Sequence, residues 1–505
     1  MIFGPQRGSV FTIFDKFAGT FGLPVLVVLL ALLFRNMDAL LENGIVLAIV
    51  LVNPFLRLYR YLFTWYAVDG EKFHVKSGWF NKRDLEIPLD RITTVDFTQN
   101  LIFQWAGVYS IKVDNASNYG GNGAGKVELA LKEKDAVRLK TLLLSENKET
   151  SQPQKNHAGV VKDLAAASSA ASVRNTAIVV PARNILLMGA LQSKGNAVAQ
   201  VISMLTVLGG MGNIIVGSEL GLEDELMELV LSIPGIGIAA IVLAAFVLLS
   251  TVLGAVFTLI RYYGFRITES GNSLLLQYGL LTRKSHSLLK EKISGVEYVQ
   301  SLPMRLFRVG YLNVLAVGYG DLDTQEKALL YPLISQEQMA DFVARHVPGM
   351  EKAEAAYEKP PGRSIGYFFL CPRVFLSLAL TAGVVILDRI LRLAERCPVD
   401  VSWIWGLLAL ILLAVCLSVA MEFRNTAVAA GAQNVHLVTG GLTRIRTVIR
   451  TEMIESVSDR ATVLKRRKGI VTIRLGILAP AFDSVKQVRN MHCRALEHIK
   501  AVIHY

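Results

Sequence analysis

Residues 292–310 read KISGVEYVQSLPMRLFRVG, and this stretch decides the fold. It contains an Ile-x-x-Val step from Ile293 to Val296, followed by Gln300 and by a glycine, Gly310. The same order occurs at Ile92, Val95, Gln99 and Gly107, and again at Ile454, Val457 and Gly469, where Ala461 stands in place of the glutamine. The Ile-to-Gly spacing is 17 residues in the quoted copy and 15 in the other two. Three matched landmarks in three copies indicate an internal repeat.

Each copy begins and ends in the same way. Ahead of the Ile-x-x-Val step, alternating strand-like segments flank a glycine-centred turn, at Gly78, Gly279 and Gly440-Gly441. An amphipathic helix is predicted to close each copy, at Glu133–Leu144, after the Ser335–Gln338 capping box, and at Ser484–Ile503. Each repeat is therefore predicted to be a small soluble domain of short β-strands that ends in one helix.

Long apolar stretches precede each of these domains. The chain of 505 residues is 52% hydrophobic, with a mean hydropathy of +0.42, and the excess falls into runs with almost no charge. A bilayer core needs roughly 20 apolar residues in a helix. Six stretches are predicted to be membrane spans: Phe17–Phe34, Gly44–Leu58, Ala197–Gly217, Leu229–Ile260, Tyr367–Leu387 and Val401–Phe423. Buried core helices are the alternative, but they rarely run so long without charge.

The predicted fold class is therefore three repeats of a two-span α-helical hairpin followed by a soluble β-rich domain. The predicted boundaries are helix pairs at 1–64, 182–262 and 364–423, soluble domains at 65–144, 263–347 and 424–505, and linkers at 145–181 and 348–363.

The charges around the spans predict the orientation. The short loops Asn36–Asn43 and Ser218–Glu228 carry acids and no Lys or Arg, whereas bases flank the outer ends of the first two pairs. The positive-inside rule therefore predicts a multi-pass cell-membrane protein with all three soluble domains in the cytoplasm. The third hairpin is ambiguous, because its loop Asp388–Asp400 contains three arginines.

This order of spans, glycine-centred strand pair, Ile-x-x-Val, glutamine, glycine and final helix resembles the bacterial pleckstrin-homology-like (PH-like) domain of the YdbS/YdbT-like membrane proteins. The resemblance is strongest in the second copy, where Lys292–Val296, Gln300, Pro303, Phe307 and Gly310 stand in order. It implies a seven-stranded, partly open β-barrel capped by a C-terminal helix in each copy. It supplies no catalytic residues.

Motifs for catalysis or for cofactor and metal binding are weak. Gly120–Lys126 matches GxxxxGK, but Val127 follows where a phosphate loop needs Ser or Thr, and Val127–Leu131 alternates as a strand. A glycine-rich hairpin loop is therefore the preferred interpretation. The eight histidines form no HExxH motif. The prediction is a protein that is not an enzyme and has no catalytic, cofactor or metal site.

Positive charge is concentrated at the C-terminus. Residues 434–505 hold 13 Lys and Arg against 5 Asp and Glu, a net charge of +8 within a total of +12. Lipid-headgroup contact is predicted for seven bases: Arg444, Arg446, Arg450, Lys465, Arg466, Arg467 and Lys468. A solvated loop that only satisfies membrane topology is the competing interpretation, and nucleic acid is disfavoured because stacking aromatics are absent nearby.

The sequence favours a membrane scaffold or binding protein. Three similar domains could bind one another, a membrane-protein partner by strand addition, or anionic lipid. The alternative is a component of an export, envelope-stress or antimicrobial-resistance system that moves or senses a hydrophobic substrate. The near absence of charge within the spans places that alternative second.

Overall fold

The structure is a computed structural model. It describes residues 3–10, 61–69, 72–78, 83–88, 92–115, 127–136, 177–192, 235–316, 327–347, 349–350, 356–393, 402–479 and 483–503. The β-rich domain of each repeat is called module 1, 2 or 3 in chain order, and the helices that precede a module in the chain are described together with it. Contacts divide the chain into two compact units, which separate between Leu289 and Lys290 in the middle of module 2.

Module 1 is built from seven antiparallel strands. They are β1 Phe3–Arg7, β2 Thr64–Val68, β3 Lys72–Ser77, β4 Arg83–Pro88, β5 Ile92–Gln99, β6 Val108–Asn115 and β7 Val127–Lys132, with the short helix α1 Leu101–Ala106 between β5 and β6. Strands β1 to β4 form one sheet in that order, and β5 to β7 pair in sequence. The start of β7 at Val127 confirms the strand predicted there, and the loop Gly120–Lys126 lies outside the described residues.

Module 2 repeats this order. Its elements are β8 Ala177–Val179, α2 Ala182–Leu191, α3 Gly235–Tyr262, β9 Arg266–Ser270, β10 Ser273–Tyr278, β11 Arg283–Leu289, the 3-10 helix Lys290–Lys292, β12 Ile293–Gln300, α4 Leu302–Leu306, β13 Val309–Ala316, β14 Ala328–Ser335 and α5 Gln336–His346. The hydroxyl of Ser335 accepts a hydrogen bond from the backbone N–H of Gln338, which confirms the predicted helix start.

Module 3 follows a third helix pair. The elements are the 3-10 helix Gly362–Ser364, α6 Ile365–Phe369, α7 Pro372–Leu393, α8 Ser402–Asn425, β15 Ala427–Ala430, β16 Asn434–Thr439, β17 Arg444–Arg450, the 3-10 helix Thr451–Met453, β18 Ile454–Arg460, α9 Val463–Arg467, β19 Ile470–Ile477, β20 Val485–His492 and α10 Cys493–Val502. The helix predicted at Ser484–Ile503 is wrong over its first half. Residues 485–492 pair with β19, and tertiary strand pairing overrides the local helical pattern.

The chain segment in front of each predicted helix pair joins the sheet that follows it. β1 pairs with β2, β8 pairs with β9, and Glu358 forms an isolated bridge with Val428 in β15. The sequence ranges assigned to helix pair 1 and to the first linker therefore each contain one strand. This extra strand completes the seven strands implied by the resemblance.

Buried apolar side chains hold the halves of a module together. In module 1, Tyr66 and Phe73 from the first sheet pack with Phe97, Ile111 and Leu129 from the second. In module 3, Leu437 and Ile449 share a core with Ile473 and with Leu496 and Ile499 of α10. The closing helix therefore caps the core of module 3 through an apolar face.

The structure corrects the glycine landmark of the middle copy. Strands within a module are counted here and below from β2, β9 and β15, which follow the predicted helix pairs. In this count the residue before the fifth strand is left-handed in every module, with φ of +62° at Gly107, +54° at Arg308 and +64° at Gly469. Arg308, and not Gly310, is thus the equivalent of the two glycines, and its spacing from Ile293 matches that of the other copies. Gly310 is required for another reason, since a Cβ there would lie 2.7 Å from the ring of Tyr298.

The apolar stretches are described in part. The first three predicted spans lie outside the described residues, whereas the last three correspond to α3, to α6 with α7, and to α8. Within the part of the chain whose side chains are described, no single helix has both the length and the hydropathy of a membrane span. Gly362–Phe369 and Pro372–Gly383 meet both criteria together, with a bend of 46° between them, and Leu248–Tyr262 is a shorter apolar helix.

Candidate functional site

Strand pairing joins each module to the next. The fourth strand of module 1, β5, pairs antiparallel with the third strand of module 2, β11. In the same way β12 of module 2 pairs with β17 of module 3. Gln99 lies opposite Arg283 at the first junction, and Gln300 lies opposite Arg444 at the second. The two junctions therefore have equivalent registers, and the modules form continuous sheets of seven and six strands.

A side chain on the short helix reinforces each junction. The amide of Gln104 in α1 donates to the carbonyl of Leu281 at 3.1 Å, and Arg305 in α4 donates to the carbonyl of Gly441 at 2.7 Å. Gln104 and Arg305 occupy the same position in their helices, and both acceptors lie in the turn that leads into the third strand of the next module. Each junction is thus built from a strand ladder and one side-chain clamp.

The glutamine shared by the first two modules has an internal role. Gln99 donates to the carbonyl of Val108 at 3.2 Å, and Gln300 donates to the carbonyl of Val309 at 3.0 Å. Both side chains are buried and tie the end of the fourth strand to the start of the fifth. Ala461 makes no such bond in module 3, so the glutamine supports local structure and is not a site common to all three modules.

A cavity of about 640 Å³ lies at the first junction. Arg266, Arg283 and Lys284 line it together with Gln99 and Gln277. Strand pairing therefore concentrates three cationic residues of module 2 around a space bounded on its other side by module 1.

The second junction also concentrates positive charge. Burial, together with the charges of Arg446 and Arg305, lowers the pKa of the Arg444 guanidinium to about 10. Burial and Arg446 also lower the pKa of Arg305. The guanidinium of Arg446 thus disfavours the charged forms of both Arg305 and Arg444, and this concentration of positive charge forms a local potential that favours an anion.

A buried ion network links module 2 to module 3. Glu297 of β12 is 2% exposed, and its carboxylate accepts hydrogen bonds from Lys327 at 2.7 Å and from Lys486 of β20 at 2.6 Å. Asp483 pairs with both lysines. Burial by itself would raise the pKa of Glu297, but the two ammonium groups hold it below its ordinary value. The network therefore keeps a charged carboxylate within the joined sheets.

Two lysines on and next to α9 lie against α6, at the start of the third helix pair. Lys465 and Lys468 have their ammonium groups 5.4 Å and 5.5 Å from the ring centroid of Tyr367 in α6. Tyr367 belongs to the bent apolar helix pair. Val463 and Leu464, which begin α9, are exposed. This combination of exposed apolar and basic side chains, here called the interfacial cluster, is typical of surfaces that bind the headgroup region of a membrane.

An ion pair joins the start of α7 to the end of α8. Arg373 at the start of α7 contacts Glu422 near the end of α8 at 2.5 Å, and Arg489 of β20 contacts the same carboxylate at 3.5 Å. Helices α7 and α8 are thereby held to each other and to module 3. Partial burial and the charge of Arg489 lower the pKa of Lys465, so Arg489 also contributes to the interfacial cluster.

The seven bases predicted to contact lipid separate into three environments. Lys465, Arg466, Arg467 and Lys468 lie on or next to α9, Arg444 and Arg446 lie at the second junction, and Arg450 is buried with a guanidinium nitrogen 3.4 Å from the carbonyl of Glu291. Sequence reasoning missed Arg305, Tyr367 and Arg489. The repeat could have indicated Arg305, because it occupies the position of Gln104, but no local pattern brings Tyr367 to α9.

Metal ligands do not cluster in the described part of the chain. Among these residues, no group of three or more His, Cys, Asp or Glu side chains could hold a metal ion.

Each of the three repeats matches the model of a known protein family. The model of the "Bacterial PH domain" family matches residues 19–147, 219–350 and 375–503, one match for each repeat. The chain belongs to this family. It is also similar to the "UPF0699 transmembrane protein YdbT" of Bacillus subtilis (strain 168), with 20% identity over 440 residues, covering 84% of this chain and 82% of that protein. No solved structure matches. These findings confirm the predicted family and the three-fold repeat.

Proposed function

We propose that this chain is a non-enzymatic scaffold of the cell membrane. Its three PH-like modules face the cytoplasm, bind anionic lipid headgroups through the interfacial cluster and hold a membrane-protein partner. The observation that carries the lipid proposal is the position of Lys465 and Lys468 over Tyr367, where an apolar helix pair meets module 3.

Exposed apolar surface supports anchoring in a membrane. The described helices expose large apolar side chains to their surroundings, including Leu248 and Phe257 of α3, Leu376 of α7 and Leu413 of α8. A stable surface of this kind needs a lipid or protein cover. The similar protein of Bacillus subtilis carries the word transmembrane in its name.

Strand pairing between modules supports their placement on the same side of the membrane. A β-sheet cannot continue through a bilayer as an open edge, because its backbone groups would remain unpaired in hydrocarbon. The β5–β11 and β12–β17 pairings therefore favour a single side, and only three residues, Lys290–Lys292, connect β11 to β12. The third helix pair, whose loop charges are ambiguous, then has the same orientation as the other two. The acidic loops of the first two pairs make that side the cytoplasm.

The interfacial cluster has the chemistry of a phosphate-headgroup contact. A base near an anionic leaflet contributes about 1 kcal/mol. Removing the charges of Lys465 and Lys468 should therefore cost about 2 kcal/mol, or roughly 30-fold in affinity.

Native mass spectrometry of the full chain in mild detergent tests this proposal. Phosphatidylglycerol should bind more tightly than phosphatidylcholine, and Lys465→Gln with Lys468→Gln should weaken the phosphatidylglycerol complex by roughly 30-fold. Lys72→Gln with Lys76→Gln is the matched control, because it removes two exposed charges from module 1. Competition by glycerol phosphate distinguishes a free phosphate ligand from a lipid. Equal binding of both lipids, or an unchanged double variant, would refute the lipid contact.

A further inference from the structure

Among the described strands, one sheet edge that is covered in modules 1 and 2 has no neighbouring strand in module 3. The fourth strands of modules 1 and 2 are each covered by the third strand of the following module. The fourth strand of module 3 is β18, and it forms the edge of the three-stranded sheet β18–β19–β20 in the part of the chain that is described.

Side-chain exposure distinguishes the covered strand from the open one. Every residue of β12 is buried, including Glu297 and Tyr298. In β18, Ser458 stands at the position of Glu297 and is exposed, as are Glu455 and Arg460. An uncovered edge presents unpaired backbone N–H and C=O groups, which natural proteins usually cover or protect.

The side-chain clamp is repeated as well. Arg466 occupies in α9 the position that Gln104 has in α1 and Arg305 has in α4. Those two side chains donate to the turn of the next module. The Arg466 side chain is 76% exposed and contacts Asp459 at 3.7 Å. Module 3 therefore carries both parts of a junction, the strand and the clamp.

We propose that β18 and Arg466 bind the third strand of a PH-like module from a different polypeptide. The pairing is antiparallel, in the register of the two internal junctions, and Arg466 donates to a carbonyl of the partner's strand turn. This inference supplies the partner site of the scaffold function proposed above, and it does not depend on lipid binding.

Charge identifies the partner as a different chain. The third strand of module 1, β4, is also an edge in the described sheets, so head-to-tail pairing of two copies would use it. In the internal register, Asp84 would lie opposite Asp459, and Arg83 would lie opposite Arg460. Like charges directly opposite each other destabilise a strand pair. The proposed partner strand carries a base opposite Asp459 and an acidic or neutral residue opposite Arg460.

The chain itself supplies a probe of the proposed edge. Arg83→Glu with Asp84→Lys converts β4 into a strand of the required charge pattern. Mass photometry of the full chain in mild detergent should show little association of the wild type. The swapped variant should associate head to tail at least tenfold more tightly, because both opposed pairs become attractive.

A second variant shows whether β18 is the binding edge. Adding Asp459→Lys and Arg460→Glu to the swapped chain restores like charges at both positions and should abolish the association. Swapped chains that remain monomeric would overturn the proposal. Wild-type chains that associate head to tail as tightly as the swapped chains would also overturn it, because the partner would then be a second copy. Lipid binding, measured separately with the Lys465 and Lys468 variants, is expected to be unchanged, so failure of either proposal can be recognised independently.

Discussion

Replacing Glu297 by Gln should destabilise the link between modules 2 and 3. The carboxylate is 2% exposed and lies 2.6 Å and 2.7 Å from the ammonium groups of Lys486 and Lys327. Removing one partner of a buried ion pair typically costs about 3–5 kcal/mol, because the remaining charges stay uncompensated. Asp483 still pairs with both lysines, and Lys327 is partly exposed, so a cost near the lower end, about 3 kcal/mol, is expected.

Hydrogen exchange with mass spectrometry can measure this loss locally in the full chain. Peptides covering β12 and β20 should exchange faster by a factor that corresponds to this free energy. Glu86→Gln is the matched control, since its ion pair with Lys72 has the same chemistry but both side chains are half exposed. Exposed pairs contribute about 0–1 kcal/mol. If Glu297→Gln changes protection no more than Glu86→Gln does, the ion network does not stabilise the junction.

The same ion network should also make the stability of the junction depend on pH, with stability lost towards acid. The pKa of Glu297 is lower in the folded protein than its ordinary value of 4.5. A depressed carboxyl pKa contributes stability above the unfolded-state value and loses it as the pH falls through the folded-state value. The wild type should therefore lose this protection below about pH 4.5, whereas Glu297→Gln should lack that acid-dependent loss. The same acid sensitivity in both proteins would assign it to other groups.

Three further substitutions test the local geometry, each by chemical unfolding of the full chain in detergent. Gly469→Ala should lower the free energy of unfolding by about 1–2 kcal/mol, because φ is +64° there. Gly362→Ala is the control and should cost less, since a Cβ at that position would meet no heavy atom within 4 Å. Equal costs would show that φ is not the cause. Gly310→Ala should cost about 1–3 kcal/mol through overpacking against the ring of Tyr298, and an unchanged midpoint would show that this ring can move. Gln300→Ala should cost about 1–3 kcal/mol because the partly buried carbonyl of Val309 loses its donor, and a cost near zero would indicate that another group replaces the amide.

The repeat was predictable because its signals are local. The Ile-x-x-Val steps place Ile293 and Val296 in a buried strand, and the glycine-centred turns have the positive φ that glycine permits, as at Gly279 and Gly440. The middle copy is misleading because Arg308 adopts the left-handed conformation without being glycine. Such a residue has no sequence signal, so the pattern of residues points to the nearby Gly310 instead.

Features that depend on distant pairing were not predictable. β8 has only three residues, and the equivalent in front of the third helix pair is a single bridge at Glu358. Neither is long enough to show an alternating pattern. The junctions between modules were missed because a strand sequence indicates that it will pair but not with which strand.

The positive charge of the candidate site was predictable from the sequence, but the spatial arrangement of its residues was not. The excess of bases in module 3 identified Lys465 and Lys468, but their proximity to Tyr367 depends on the folded arrangement of α6 and α9. Arg444 and Arg446 were grouped with them by charge alone, whereas strand pairing places these two at the second junction.

The strand in front of each helix pair has a consequence for synthesis of the protein. Arg7 pairs with Trp65, and Val179 pairs with Arg266, so modules 1 and 2 are each interrupted between two adjacent strands by a long apolar stretch of sequence. A ribosome completes the first strand long before its neighbour exists, and the module cannot close its sheet until the chain has returned from the helix pair. Completion of each sheet therefore has to wait for synthesis of the apolar stretch that separates its strands in the sequence.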